Sequence, residues 1–227
     1  MAAGNRRRGV KMSEQWPLRQ DPESPVIIAH ELVDHPEKLA FVVLDDDDDW
    51  FISDGAEFEE DMEVNRQLFG AMALREAVTL LPHLVALADV PAGMAADWDP
   101  DRRTWLLSSV SDSDDVDEDL AHRDARIAAW THPGSPLEEV QLSTGLTEIG
   151  TTAAAPARAV RQVVREQDGT WLFVGFEVPE AEDFEMEGLE LEHVVQLYPD
   201  VVPTLLAAPG QVFDRAEPGA PWELVEG

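Results

Sequence analysis

Carboxylates are the side chains that this sequence offers most densely for chemistry. Eleven of the 19 residues from Asp45 to Glu63 are acidic: Asp45, Asp46, Asp47, Asp48 and Asp49, then Asp54, Glu57, Glu59, Glu60, Asp61 and Glu63. Paired carboxylates can move protons or hold Ca²⁺. The run DDDDDWFISDG nevertheless lacks the alternating D-x-D-x-D-G frame of a calcium loop, so no metal is assigned to it. Of the six histidines, His30, His35, His83, His122, His132 and His193, only His30 and His35 are near each other, and no HExxH spacing occurs. The GxSxG, P-loop and GxGxxG signatures of acyl transfer and nucleotide binding are missing. There are no cysteines, which excludes disulfides, thiolate metal sites and cysteine nucleophiles and fits a cytoplasmic protein.

No catalytic residue, metal ligand or cofactor is therefore assigned. The acids are read as a surface for a basic protein partner, with Asp45–Asp49, Glu57, Glu59, Glu60, Asp61 and Glu63 as the candidate contacts. Net charge is −31, and five of the 16 basic residues lie within the first 20 positions. Such a field repels nucleic acid and anionic lipid and speeds encounter with cations. Acidity spread across a whole proteome is the competing explanation. A hydrolytic or metal-dependent enzyme with a carboxylate site between two modules is the alternative function, and a housekeeping regulatory protein the third.

The elements that must position these acids are written twice. An offset of 117 residues, without gaps, superposes Leu74–Leu107 on Leu191–Leu224 and matches nine of 34 positions, among them Pro82/Pro199, Gly93/Gly210, Asp97/Asp214 and Trp105/Trp222. Leu74, Ala77, Val78 and Leu81 trace the apolar stripe of a helix, repeated by Leu191, Val194, Val195 and Tyr198. The prolines then end that helix or open a second short one, on which Val85 and Val202 are expected to be buried. Gly93 and Gly210 release the chain into a hairpin whose returning strand carries Trp105 or Trp222, while Trp98 is the tryptophan expected to be exposed.

Upstream, LAFVVL–DDDDD–WFIS and AVRQVVRE–QDG–TWLFVGF read as hairpins that place Trp50 and Trp171 equivalently, now at an offset of 121. The expected fold is α+β: two tandem pseudo-repeats, each an antiparallel sheet with helix packed on one face. Residues 1–23 are expected to be a frayed tail, with translation starting at Met1 or Met12. Residues 24–110 form the first repeat, 111–122 an acidic linker and 123–227 the second repeat. Somewhere in 123–157 lies the second copy's first strand, though no segment there aligns convincingly with VIIAHEL. The acids from Glu177 to Glu192, eight in 16 residues, occupy the place that Glu57–Glu63 holds in the first copy.

The order of Asp-rich turn, Trp-Phe, helix, YPDVVPTLLAAPG, F-D-R and a terminal E-L-V resembles an uncharacterised bacterial family grouped with predicted immunity proteins of polymorphic toxin systems. The likeness covers roughly residues 160–227. It is weaker over residues 24–107, where Leu81, His83 and Trp98 stand in place of Tyr198, Asp200 and Arg215. It implies a small α+β binding domain with no established catalytic activity, and a partner that could be a toxin.

Overall fold

Burial alternates along the strands of this chain in step of two, while its short helices bury positions three and four apart, and the two patterns recur in the same order. The computed structural model describes residues 16–59, 61–110, 116–151, 158–176 and 186–226. The chain runs through β1 (Pro25–Ala29), one helical turn α1 (Glu31–Asp34), and the hairpin β2 (Phe41–Leu44) and β3 (Trp50–Ser53). Then come α2 (Met62–Leu68), β4 (Phe69–Ala73), α3 (Leu74–Leu80), a 3₁₀ segment at Pro82–Leu87, and the hairpin β5 (Met94–Asp99) and β6 (Thr104–Ser109). After α4 (Val116–Ala129) the series repeats as β7 (Glu139–Ser143), α5 (Thr144–Thr147), β8 (Glu148–Gly150), and the hairpin β9 (Val160–Arg165) and β10 (Trp171–Gly175). It closes with β11 (Met186–Glu190), α6 (Leu191–Leu197), a 3₁₀ segment at Pro199–Leu206, and the hairpin β12 (Val212–Asp214) and β13 (Glu223–Glu226).

The first sheet has the order β4-β1-β3-β2-β5-β6-β8 and the second β11-β7-β10-β9-β12-β13. Position for position these are one sheet built twice, with β8 of the second module laid on the edge of the first. The missing first strand of the second copy is β7, and its match to β1 runs at an offset of 114, Val26 with Val140 and Leu32 with Leu146. The α+β duplication therefore holds, but the sheets are mixed rather than antiparallel: β1 runs parallel to β3, and β7 to β10. The β2–β3 and β9–β10 hairpins each insert their second strand beside the first strand of the module. Strand patterns in sequence do not carry that choice of neighbour.

One face of the first sheet, formed by Val26, Ile28, Val42, Leu44, Trp50, Ile52, Met94, Ala96, Trp105 and Leu107, is buried beneath α3 and the 3₁₀ segment after it. Each such side chain removed from water contributes about 1.5–3 kcal/mol. A seven-residue helix could not persist without that contact. Beyond the proline the helix tightens to three residues per turn, so Leu81, Leu84 and Leu87 line one side, as do Tyr198, Val201 and Thr204. That change of period corrects the expectation for Val85, which is exposed, and for Val202, which is half-buried. Gly93 and Gly210 both have positive φ, at 76° and 88°, and turn the chain into the last hairpin.

Two boundaries also move. The tail expected through residue 23 ends earlier: Leu18 is buried, Pro22 O accepts the amide of Arg75, and Glu23 pairs with Arg75, so this segment caps α3. Half of the expected linker, from Val116, belongs to α4, which crosses the expected boundary at 122/123; residues 111–115 lie outside the described ones.

The tryptophans show how the copies diverged. Trp50 and Trp171 are both buried, in the equivalent places that the hairpins give them. Trp105 Nε1 donates to His83 O at 3.2 Å and Trp222 Nε1 to Asp200 O at 2.8 Å, and these two acceptors are repeat-equivalent. Around this shared staple the side chains differ as a set. In the first module His83 stacks on Trp98 at 4.4 Å and Trp98 lies 4.9 Å from Trp105, so Trp98 is half-buried rather than exposed and sits in β5. In the second, Arg215 pairs with Asp200 and lies 4.4 Å over Trp222. Trp222 is only half-buried, because among the described residues nothing equivalent to β8 covers the strand that follows it.

Two tests follow from this packing. Trp105→Ala should cost about 3–5 kcal/mol in urea unfolding, and Trp222→Ala clearly less; equal losses would contradict the difference in burial. Installing the second module's pair in the first should show coupling. His83→Asp and Trp98→Arg should each destabilise alone, and the double variant should recover on the order of 1–3 kcal/mol of interaction. Additive losses would mean that the two substitutions are independent.

Candidate functional site

The acids cluster in sequence but divide into two groups in space. Asp45–Asp49 close the β2–β3 turn, whereas Glu57–Glu63 follow β3, so the groups are separated by a four-residue strand roughly 13 Å long. They form two surfaces rather than one.

Much of the first group is spent on the turn itself. Asp45 Oδ1 accepts the amides of Asp47 at 3.0 Å and Asp49 at 2.8 Å, the side-chain turn that aspartate makes readily. Burial pushes the Asp45 carboxyl above its ordinary range. Asp48 takes the left-handed conformation at φ 69° and pairs with Arg19. Asp46 faces Gly93, where an added Cβ would stand 2.8 Å from its Oδ1 and 3.0 Å from His193 Nε2. Asp47 and Asp49 are left exposed to solvent.

The second group is a shaped loop. Asn65 is buried and clasps Glu59 from both sides, its Oδ1 accepting the Glu59 amide at 2.8 Å and its Nδ2 donating to the Glu59 carbonyl at 2.7 Å. Asp61 caps α2 by accepting the Glu63 amide at 2.8 Å, and Glu63 pairs with Arg66 at 3.2 Å. The Phe58 ring lies 4.7 Å from Phe51 and 4.9 Å from Phe69, yet the residue remains 54 % exposed; Met62 is 64 % exposed. Glu57 and Glu59 point outward beside them, and Glu60 lies outside the described residues. The acidic count identified this loop but missed its apolar half. The signal was present in the alternation of Phe58, Met62 and Val64 with acids. Most of the equivalent segment in the second copy, residues 177–185, lies outside the described ones.

Between the modules, where a carboxylate site was the alternative, a serine and a histidine do meet. Ser109 Oγ lies 2.9 Å from His193 Nδ1, with Glu190 Oε2 4.0 Å from the same nitrogen. The hydroxyl already accepts the Glu190 amide at 3.1 Å, and His193 is 3 % exposed. A nucleophile needs an open approach for a substrate carbonyl and donors for the developing oxyanion. This pair instead joins β6 to β11 and α6, and Arg126 ties α4 to the same two elements by binding both Glu190 and Glu192. Among the described residues no group of three or more His, Asp or Glu side chains is placed to hold a metal ion.

Burial holds the His193 imidazole below its ordinary pKa, and burial with the nearby Arg103 charge does the same for His83. As pH falls through about 6.5, the unfolded chain takes up these protons before the folded one, so stability present above that pH is lost as it falls toward the folded values. Melting temperature should therefore drop from about pH 7.5 to about pH 5.5, and His193→Gln or His83→Gln should each flatten the slope. An unchanged slope in both variants would mean that neither imidazole is held neutral by folding. Comparison of the chain with protein-family models, with curated proteins and with solved structures finds no match.

Proposed function

We propose that the protein is a non-enzymatic, acidic binding protein of the cytoplasm, of the immunity type, which neutralises a basic partner such as a toxin by covering its cationic surface. The observation that carries this reading is the loop Glu57–Glu63, in which exposed Phe58 and Met62 stand among outward carboxylates on a backbone fixed by Asn65. Large apolar side chains kept in water beside such a hydrogen-bonded clasp suit a contact made with another protein. The surrounding charge suits a cationic one. A toxin that grips nucleic acid presents such a surface, because phosphate binding requires it.

Among the described residues no helix is long and apolar enough to cross a membrane. The resemblance to predicted immunity proteins supports the same reading through YPDVVPTLLAAPG, although Tyr198, Asp200 and Arg215 act within the fold. Tyr198 Oη donates to Leu146 O, and Arg215 Nε donates to Val160 O at 2.6 Å. These motif residues hold the second module together, so a partner has to be sought on other surfaces.

The test is the association rate against ionic strength, measured with the purified product of the gene adjacent to this one. A variant carrying Asp47→Asn, Asp49→Asn, Glu57→Gln and Glu59→Gln keeps every hydrogen bond described above. Its association should be slower by about ten-fold or more at low salt and should converge with the native rate as salt screens the field. Identical salt dependence in both proteins would reduce these acids to a solubility feature.

A further inference from the structure

Because the two modules share one backbone plan, each serves as a control for the other's surface. On the sheet face away from the helices, Ile27 and Phe51 are paired neighbours in the first module, and Gln141 and Leu172 hold the same places in the second. Phe41 pairs with Asp97, which pairs with Leu106; the second module has Gln162, Asp214 and Glu223 at these positions. Three positions are thus apolar in one copy and polar in the other: Ile27/Gln141, Phe41/Gln162 and Leu106/Glu223. The second sheet forms with glutamine and glutamate there, while Val164, Leu172 and Val174 keep part of its outer face apolar, so the fold does not need apolar side chains at those three positions. The first module nevertheless exposes one, with Ile27 43 % accessible and Phe58 continuing the aromatic surface across Phe51.

The carboxylates make the same comparison in charge. Asp214 is paired with Arg161 at 3.5 Å, whereas Asp97, its equivalent, is exposed and has no ion-pair partner among the described residues. Partial desolvation by its neighbours raises the Asp97 pKa although the residue reaches solvent, with no cation to offset it. An apolar sheet face that holds an unpaired anion and is bordered by Glu57 and Glu59 is complementary to apolar side chains beside a cation.

We propose that the outer face of the first sheet is the docking surface for a partner-protein segment that presents apolar side chains next to a lysine or arginine, the cation pairing with Asp97. This rests on the reading that the partner is basic, and it adds where that partner's apolar residues seat. A second copy of this chain is a poor occupant, since two such faces would oppose Asp97 to Asp97 between molecules of net charge −31.

The probe is a synthetic peptide of alternating leucine and lysine, compared by NMR titration with a serine–lysine peptide of equal charge. The leucine–lysine peptide should shift Ile27, Phe51 and Leu106 and leave Gln141, Gln162 and Leu172 in place. The double variant Ile27→Gln, Phe41→Gln borrows the residues that the second module tolerates. It should keep its melting temperature and lose about ten-fold or more in affinity, and Asp97→Asn should weaken binding several-fold. Equal binding of the two peptides, with shifts at the acidic loops alone, would overturn the apolar face and leave the basic-partner reading intact. Binding that follows Ile27 and Phe41 but ignores both salt and Asp97→Asn would overturn the cation pairing, and with it the basic-partner reading. A native dimer in sedimentation that the double variant dissociates would overturn the proposal in favour of self-association.

Discussion

Both modules carry the same indole hydrogen bond at the same place, and it joins the last hairpin to the segment that covers the buried face. The donor belongs to the strand that returns from the last hairpin, and the acceptor is the carbonyl of the residue after the helix-ending proline. That bond ties the far side of the sheet to the 3₁₀ segment and fixes where the helix can lie across the buried face. Because the acceptor is a backbone carbonyl, the side chain at the acceptor position is free to vary. It has done so together with its neighbour, as histidine stacked on tryptophan in one copy and aspartate paired with arginine in the other. A constraint carried by the backbone let the surrounding chemistry change without loss of the fold.

The junction between modules follows a different logic. It combines strand addition by β8 with a polar cluster of Ser109, His193, Glu190 and Arg126. The consequence for burial is large: Leu107, beside the second module, is 1 % exposed, while its equivalent Leu224 is 53 % exposed. Buried polar contacts of this kind add little net stability against an apolar alternative, but they penalise any misregistered docking, which would leave their charges and donors unpaired.

How much of this was legible in the sequence differs by level. The gapless offset revealed the duplication because helix, proline, glycine and tryptophan are each demanded by local geometry. The parallel pairing of β1 with β3 was hidden, since strand patterns encode which face is buried and not which strand lies alongside. Val85 was misjudged because the period shortened from 3.6 to three after Pro82. Residues 16–23 read as tail because one buried leucine and a few backbone bonds to α3 make no periodic signal. The acidic residues were found by counting, yet counting could not tell Asp45, absorbed by its own turn, from Glu57 and Glu59, which face solvent. It also passed over Ile27, Phe41 and Phe58, whose significance arises from where the sheet and loop place them.

Divergence between the copies is uneven in a way that bears on function. At several buried positions the substitutions stay apolar, as with Ile28/Leu142, Val42/Val163 and Ile52/Phe173, whereas Leu44/Arg165 and Leu87/Thr204 change character inside the fold. On the outer face they change character at Ile27/Gln141, Phe41/Gln162 and Leu106/Glu223. Selection for folding alone acts on both copies alike and would let exposed apolar residues drift toward polar ones, because exposed isoleucine and phenylalanine invite aggregation and add little stability. The second module carries polar residues at these three places, with its aspartate paired to Arg161. The first retains apolar side chains and an unpaired carboxylate together. Each is costly to solubility or stability alone, and a surface that supplied an apolar contact beside a cation would offset both costs together.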